Sequence, residues 1–479
     1  MTTTLDAPVA TPPRAPAPHP RRWLGLFAIL GADLLNLLDS TVGTIAAPAI
    51  RADLGGSTTT LQWIAAGYTL AMAVGLLVGG RLGDMYGRKR MMIVGVLGFL
   101  AASALCGLSM SPEMLLAARV LQGAFGAVMV PQSFGLIREL FGADLGKAFA
   151  MLGPVIGLAT VLGPVVAGLL VDANLFGAGW RMIFLINLPL GLFALVVGRR
   201  VLPSSEPAAR GQRLDVGGAV LAAAGMFLLV YPLTQGHELG WPVWTFGMLA
   251  ASVVVLAGFV ANQARRARGG VPVLVRLSVF ARRSYSSGVA FVIAFFGVIT
   301  GFSLATGLFL QLGLGYSPLK ASLAMAPWAV GAFVGSAVGA TVLAGLGRHI
   351  LHLGLALMAA GLGWVYLSMS GAGLSIAPLA VFGVGMGMIF VPLFGIIVGD
   401  LSDDEVGSAS GMLTAVEQLG ASLGIAVLGT LFFSSVDAPG GVPEFVAAAK
   451  VVTLVALGLT VVTFALGFLL PRKSKVGAH

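Results

Sequence analysis

The chain has 479 residues, of which 57% are hydrophobic and only 10% are Asp, Glu, Lys or Arg. A soluble domain carries about 25% charged residues, so this composition leaves too few charges to coat a water-facing surface. The net charge of +9 comes from short basic clusters between apolar segments rather than from one basic face, which argues against a nucleic-acid partner. We therefore predict an all-α integral membrane protein.

The N-terminal residues 1–22 are rich in Ala, Pro and Thr and contain no apolar run, so we predict a disordered cytoplasmic tail. The apolar segment that begins at Trp23 is too long for a signal-peptide core, and no clear cleavage motif follows it at the right distance. It is interpreted as the first transmembrane helix, retained in the mature protein.

A membrane-spanning helix needs about 20 mostly apolar residues. Breaks at charged or Pro/Gly-rich positions divide the chain into about fourteen such segments. They lie at 23–47, 59–80, 91–110, 114–136, 147–171, 182–201, 216–234, 243–263, 286–312, 319–345, 350–369, 375–399, 408–434 and 449–471.

Basic residues accumulate on one side of these segments. The loop 88–90, the connections 199–213 and 265–283 and both chain ends fall on that side, whereas the opposite loops carry little more than Arg51, Arg181 and Lys320. Lys and Arg are enriched in cytoplasmic loops, so both termini are predicted to be cytoplasmic, in a multi-pass protein of the plasma membrane. The bias fits an even number of spans.

A weak internal repeat relates the two ends of the chain. The segments 146–170 and 407–431 align without a gap, pairing for example Gly163 with Gly424. Duplicated transporter folds are built from two related bundles. We therefore predict a six-helix bundle at 23–202, two inserted helices with their cytoplasmic loops at 203–284, a second six-helix bundle at 285–471 and a cytoplasmic tail at 472–479.

The loop after the second segment has the sequence GRLGDMYGRKR, in which Gly80, Asp84, Gly87 and Arg88 occupy fixed positions. Glycine permits a tight turn, and the carboxylate and basic groups can form charge-assisted bonds across a seam between helices. A plain positive-inside loop is the alternative. The glycine and aspartate spacing resembles the G-x-L-a-D-x-x-G-R-[RK] signature of the major facilitator superfamily, in which this loop is a conformational switch.

Further motifs run along nearly the whole chain. They are Leu38-Asp39-Ser40-Thr41-Val42 with Pro48, Gln62-Trp63 with Tyr68, Arg119-Val120-Leu121-Gln122-Gly123, Trp180-Arg181 with Phe184 to Pro189, and Tyr316-Ser317-Pro318 with Pro327. In order and spacing they resemble the fourteen-span drug:proton antiporter branch of that superfamily, the EmrB/QacA type. The resemblance implies a major facilitator fold and alternating access between two six-helix bundles, coupled to inward proton movement.

The fifth segment carries an antiporter signature. Gly163-Pro164-Val165-Val166-Ala167-Gly168 resembles the G-P-x-x-G-G motif, with Ala167 in place of a usual glycine. This is a small-for-small change that close helix packing should tolerate. Gly153 and Pro154, earlier in the segment, are assigned to the same antiporter helix. The loop after the tenth segment, around Gly347 and Arg348, has no acidic residue to match Asp84.

Three carboxylates lie well inside predicted spans, namely Asp33, Asp39 and Glu417. A charged group in a bilayer is costly, so such residues are functional by default. At 100° per residue, Asp33, Asn36, Ser40 and Thr44 fall on one polar stripe, and Asp39 lies beside it. We expect Asp39, which the family signature names, and Asp33 to bind protons and cations. Either could instead be locked to helix backbone or to Arg119.

Glu417 lies on a glycine-lined helix of the second bundle and could contact a cationic substrate, or be a protonated, hydrogen-bonded core residue. The resemblance assigns Arg119 a role in proton transfer, because a nearby cation shifts a carboxylate's proton affinity as helices move. A fixed structural ion pair is the alternative. Further polar residues are candidates for the transport cavity: Asn36, Gln62, Tyr68, Gln122 and Gln311.

The sequence contains no metal-ligand spacing and no G-x-x-x-x-G-K-[ST] motif, so we expect no metal, no cofactor and no ATP site on this chain. The prediction is a non-enzymatic, monomeric, proton-driven exporter of lipophilic or cationic small molecules, with antibiotic resistance through multidrug efflux as its consequence. The alternatives are an exporter of lipid or of a dedicated natural product, and a proton-coupled importer.

Overall fold

The computed structural model describes residues 19–40, 45–144, 163–204, 207, 213–236, 238–341, 346–370, 373–398, 403–436 and 441–471. Within these ranges the chain is helical, and the strand-type pairing is one isolated bridge between Ser370 and Gly373. The predicted all-α architecture is therefore confirmed.

The helices before residue 202 belong to the first half of the chain. They are α1 Arg22–Ser40, α2 Ala47–Leu54, α3 Thr58–Tyr86, α4 Arg88–Gly107, α5 Pro112–Phe141, α6 Gly163–Ala173, α7 Met182–Leu185 and α8 Asn187–Val201. With the turn of 3-10 helix before it, the pair α7 and α8 forms one candidate span, Gly179–Val201.

The remaining helices follow in the order of the predicted segments. They are α9 Val216–Gln235, α10 Val243–Arg268, α11 Arg283–Leu308, α12 Pro318–Thr341, α13 His349–Ser368, α14 Ile376–Val398, α15 Asp403–Ser434 and α16 Val442–Gly467. A π-helical turn, Phe309–Gly313, extends α11.

Twelve helices of the described part of the chain are long and apolar enough to cross a membrane. Two predicted spans remain. The span 23–47 is interrupted by residues outside the described ranges, and the span 147–171 consists mostly of such residues. Of the second, only Gly163–Ala173 is described, as a shorter apolar helix. The multi-pass membrane fold is thus confirmed, and the total of fourteen stays a prediction.

The two halves of the chain repeat one set of helix neighbours. In the first half α3 and α4 pack on α5, and α1 and α4 pack on α8. In the second half α12 and α13 pack on α14, and α11 and α13 pack on α16 in the same way. This correspondence is the duplicated architecture of transporters with repeated bundles. Helices α9 and α10 pack on each other, and α9 also contacts α3 and α15.

Glycines let equivalent helix pairs approach closely in both halves. A Cβ atom added to Gly79 of α3 would overlap the carbonyl group of Ala127 in α5. One added to Gly335 of α12 would overlap the carbonyl group of Val384 in α14. Small residues at these crossings bring the two backbones together, which is how helices associate without a hydrophobic driving force in lipid.

The halves contact each other along α3 and α15, which run antiparallel. The Ser422 hydroxyl donates to the Ala66 carbonyl oxygen at 3.3 Å, and the Thr430 hydroxyl donates to Gln62 Oε1 at 3.3 Å. A second contact joins α6 to the start of α12, where Asp172 accepts a hydrogen bond of 2.6 Å from the Ser317 hydroxyl. Side-chain hydrogen bonds thus join the two halves at two places.

Candidate functional site

Asp39, near the end of α1, lies at the centre of a buried polar cluster in the first half. Its side chain is fully buried, and one carboxylate oxygen forms an ion pair with Arg119 Nη1. The other accepts hydrogen bonds from Gln122 Nε2 at 2.8 Å and from Asn187 Nδ2 at 3.4 Å. The carboxylate is therefore held by three side chains from α5 and α8.

Arg119 of α5 is equally buried, with 1% of its surface exposed. Its Nη1 also donates to Gln122 Oε1 at 2.8 Å, and its Nε donates to the Ile64 carbonyl oxygen at 3.1 Å. The guanidinium carbon lies 4.2 Å from the ring centroid of Tyr68. A charged pair buried in apolar surroundings persists only when hydrogen bonds compensate for lost hydration, and here both charges have several.

The cluster joins the candidate cavity residues of α1, α3 and α5. The Tyr68 hydroxyl donates to Asn36 Oδ1, so the ring that stacks on Arg119 is tied to the polar stripe of α1. Five predicted residues are thus brought together, namely Asp39, Arg119, Gln122, Tyr68 and Asn36. Of the other stripe positions, Thr44 and the side chain of Ser40 lie outside what the structure describes.

Two members of the cluster were missed by the sequence analysis. The Ser103 hydroxyl of α4 accepts hydrogen bonds from Gln122 Nε2 at 2.9 Å and from Asn187 Nδ2 at 3.3 Å. Asn187 is the only uncharged polar side chain between residues 182 and 201, and that isolation is the signal that could have identified it. Ser103 gives no such signal, because serine is common in membrane helices.

Asp33 lies outside this cluster, six residues earlier on α1. Its carboxylate accepts a hydrogen bond of 2.7 Å from the Ser133 hydroxyl of α5, and the residue is half-buried. Within the described residues no cation pairs with it. Asp33 and Asp39 therefore share a helix but differ in environment, since one carboxylate is compensated by an arginine and the other by a single hydroxyl.

The remaining predicted site residues, one proton-coupling candidate and two cavity candidates, are dispersed. Glu417 is half-buried on α15, with no hydrogen bond or ion pair to the part of the chain that is described. Gln62 lies at the α3–α15 seam, bonded to Thr430, and Gln311 is buried in the π-helical turn of the second half. None of the three contacts the Asp39 cluster through a hydrogen bond in the described residues.

The predicted switch loop is a sharp junction between α3 and α4. Gly87 has a φ of 90°, a conformation that favours glycine, and Gly80 faces Pro131 of α5. Arg88 pairs with Glu139 of α5 at 3.3 Å and lies 3.8 Å from Asp84. The charges thus bridge α3, α4 and α5 within the first half.

The loop before α13 binds its neighbours differently. Arg348 Nη1 donates to the carbonyl oxygens of Phe468 and Leu470 at 3.0 and 2.9 Å, at the end of α16. In the first half, Lys89 Nζ donates to the Leu202 carbonyl oxygen at 2.7 Å, at the end of α8. Each half thus fixes its last helix with a basic side chain. Carboxylates pair with the neighbouring Arg88 in the first half, whereas no described carboxylate pairs with Arg348.

The antiporter signature is described in part. Gly153 and Pro154 lie outside the described residues, Pro164 is half-buried, and Gly163 lines an apolar void of about 10 Å³ beside Leu38 of α1. A Cβ atom on Gly168 would lie 2.6 Å from the Ser322 hydroxyl of α12. The motif helix therefore packs directly against the second half.

No group of three or more His, Cys, Asp or Glu side chains in the described ranges could hold a metal ion. The described chain thus has two halves with the same set of helix neighbours, and the first half contains a buried ion pair. The sequence profile of the Major Facilitator Superfamily matches residues 29–425. The chain belongs to this superfamily, and it is a multi-pass membrane transporter rather than an enzyme.

Curated relatives are similar over most of the chain. It is 49% identical over 428 residues to a Streptomyces coelicolor protein named "Probable actinorhodin transporter", covering 87% of this chain and 74% of that one. It is 36% identical to the "Tetracenomycin C resistance and export protein" of Streptomyces glaucescens, covering 87% and 77%. It is 34% identical to a puromycin resistance protein of Streptomyces alboniger, covering 86% and 82%.

Solved structures share the fold at low sequence identity. An auto-inhibited POT family peptide transporter superposes with a TM-score of 0.66 at 18% identity, covering 94% of this chain and 96% of that one. The nucleoside transporter NupG superposes with a TM-score of 0.64 at 12% identity, covering 93% and 99%. Both comparisons support the major facilitator fold of this chain.

Proposed function

We propose that this transporter exports antibiotic-like small molecules, lipophilic or cationic, in exchange for protons. The observation that carries the proposal is the fully buried Asp39–Arg119 pair at the junction of α1, α3, α5 and α8. Relatives named for the export of, or resistance to, single antibiotics support the direction and the substrate class. The proposal includes membership of the fourteen-span drug:proton antiporter branch, a monomeric state and cytoplasmic termini.

Asp39 couples protons to helix movement through its partner. A proton added to the carboxylate abolishes the ion pair but leaves Arg119 its bond to the Ile64 carbonyl oxygen and its contact with the Tyr68 ring. The cation then remains on α3 and α5, while α1 loses its charged contact with α5. Proton binding in this buried site thus changes which helices are held together.

Asp33 and Glu417 are proposed to contact the cationic part of a substrate. Both are half-buried, and Asp33 is bonded to one hydroxyl only. A carboxylate in low-dielectric surroundings that lacks a cation attracts a proton or a substrate cation. Because α1 and α15 belong to different halves, occupation of the two sites is coupled to the relative position of the halves.

A proton gradient supplies enough free energy for such export. Entry of one proton down about 100 mV and one pH unit yields about 2.3 plus 1.4, or roughly 3.7 kcal/mol. This sustains roughly a 500-fold gradient of a neutral substrate at one proton per molecule. No cofactor is proposed, because this gradient drives the cycle.

The test is export of an amphiphilic cationic dye from proteoliposomes, with and without an imposed pH gradient. We expect Asp39→Asn to abolish the response to the gradient, because a neutral side chain fixes the site in its protonated form. The matched control is Asp53→Asn, which breaks an exposed Asp–Arg pair on the outer face and should retain the response. Full coupling in both Asp39→Asn and Asp33→Asn would refute the mechanism and direct attention to Glu417.

A dedicated natural-product exporter is a second candidate, favoured by the single-antibiotic names of two of these relatives. A substrate panel separates the two functions. Saturable export of one polycyclic antibiotic with no export of cationic dyes would establish the narrow function. Export of several unrelated amphiphiles would establish the broad function. Uptake of substrate together with inward-moving protons would identify a proton-coupled importer.

A further inference from the structure

A cavity of about 300 Å³ lies where α3 passes into α4, outside the polar cluster around Asp39. Its volume is at the lower end of the range of about 300–1,000 Å³ for small-ligand pockets. The side chains of Tyr86, Lys89, Arg90, Ile93, Val94 and Ser204 line it. The loop is predicted to be cytoplasmic, so the cavity is placed at the level of the inner leaflet headgroups.

The charged side chains that line the cavity, among the described residues, are all basic. Lys89 and Arg90 are basic, and none of the described residues that line the cavity is acidic. The nearby carboxylates of Asp84 and Glu139 are paired with Arg88 instead. Lys89 donates one hydrogen bond to the Leu202 carbonyl oxygen, and Arg90 is exposed without a hydrogen bond or ion pair to the described residues. The cavity therefore attracts an anion.

The wall of the cavity continues into a surface that faces lipid. Val94 is 40% exposed, and Leu97 and Leu105 follow on the same face of α4 with 48% and 41% exposed. These positions are separated by about one and two helical turns, so their side chains form one apolar stripe along the helix. Tyr86, 48% exposed, lies at the headgroup end of the stripe, where aromatic rings are enriched in membrane proteins.

We propose that this cavity binds the phosphodiester headgroup of an anionic phospholipid of the inner leaflet, with an acyl chain along the α4 stripe. Arg90 and Lys89 contact the phosphate, and the Tyr86 and Ser204 hydroxyls can donate to its oxygens. Basic pockets on the cytoplasmic side of membrane helices have the chemistry for such headgroups. A free phosphate ester would satisfy the charges but would leave the stripe unused.

Native mass spectrometry of the full-length protein in detergent tests the proposal. The protein is titrated with phosphatidylglycerol or with phosphatidylcholine of the same acyl chains, and glycerol phosphate is added as a competitor. We expect preferential retention of phosphatidylglycerol. Arg90→Gln should weaken it roughly fivefold, the effect of one basic residue near an anionic surface. Val94→Trp, which places a large ring in the cavity, should abolish the preference.

Two variants serve as matched controls. Arg268→Gln removes an exposed charge from the same side of the membrane, and Val254→Trp places the same ring on the exposed surface of α10, outside the proposed site. Both should retain phosphatidylglycerol as the wild type does. Equal retention of the two lipids, or equal losses in the controls and the cavity variants, would overturn the proposal. If low concentrations of glycerol phosphate displace phosphatidylglycerol, the assignment to a lipid would be overturned and the cavity would be assigned to a free phosphate ester.

Discussion

Arg119 uses the shape of its side chain as much as its charge. Nη1 reaches Asp39 and Gln122, Nε reaches the Ile64 carbonyl oxygen, and the planar group stacks on Tyr68. A lysine ammonium is a compact point charge that cannot reproduce this fork and stacking geometry. The residue thus fixes α1 and α3 to α5 from a single position.

The first prediction concerns Arg119→Lys. We expect gradient-driven dye export to fall about tenfold or more, because at least one charge-assisted hydrogen bond of about 1.5–3 kcal/mol is lost. The initial export rate in proteoliposomes measures this. Arg181→Lys, in the exposed pair with Asp53, is the control and should change the rate less than about twofold. Equal rates in the two variants would contradict a coupling role for Arg119.

The outer pair permits a prediction about pH. The hydrogen bond from Arg181, with a second from Trp180, lowers the pKa of Asp53 below its usual value. Stability from a lowered pKa is complete above the unfolded pKa of about 3.9 and is lost as the pH falls through the folded value. We therefore expect Asp53→Asn to leave the pH profile of export between pH 5 and 8 unchanged. A shifted profile would show that this pair takes part in coupling.

At the scale of helices, packing decides which predicted residues meet. Asp39, Arg119 and Tyr68 were each predicted from the sequence, but their contact depends on the angles at which α1, α3 and α5 cross. Those crossings are set by backbone contacts such as that of Gly79 with Ala127. The spacing of residues along the chain does not predict such contacts. For the same reason Ser103 was not predicted, because its role comes entirely from its neighbours.

The helix spans were more accessible to prediction, since apolar length and basic loops report directly on the bilayer. The separation of Asp33 from the Asp39 cluster could not be predicted from the sequence. Helix periodicity placed both near one stripe, yet Ser133 faces one carboxylate and Arg119 faces the other. Periodicity gives the direction of a side chain, and the partner depends on the neighbouring helix.

Close helix crossings lead to a stability prediction. Gly335→Ala places a methyl group against the backbone of Val384, so α12 and α14 must separate. We expect a loss of about 1–3 kcal/mol, the usual cost of overpacking, seen as a lower melting temperature in detergent. Gly363→Ala on α13 is the control, because nothing lies within 4 Å of the added atom. An equal effect of both substitutions would rule out the close approach as the cause.

At the scale of the whole molecule, α6 connects the antiporter signature to the second half. Asp172 accepts hydrogen bonds from the Ser317 hydroxyl and, at 3.3 Å, from the backbone nitrogen of Leu319. It therefore caps the first turn of α12 from the other half of the protein. A cap of this kind contributes about 1 kcal/mol, and it exists only while α6 and α12 are in contact.

Asp172→Ala should therefore disfavour the state in which α6 and α12 touch, shifting the equilibrium about fivefold toward the state in which they are apart. Spin labels introduced by Leu175→Cys and Lys320→Cys report the distance between the two halves by pulsed electron paramagnetic resonance. We expect the longer-distance population to grow. Asp53→Ala removes a carboxylate whose described hydrogen bonds lie within the first half, and it should leave the distribution unchanged. If both substitutions leave it unchanged, the α6–α12 contact does not bias alternating access. If only Asp172→Ala shifts it, one carboxylate at the end of the antiporter helix sets the balance between the two states.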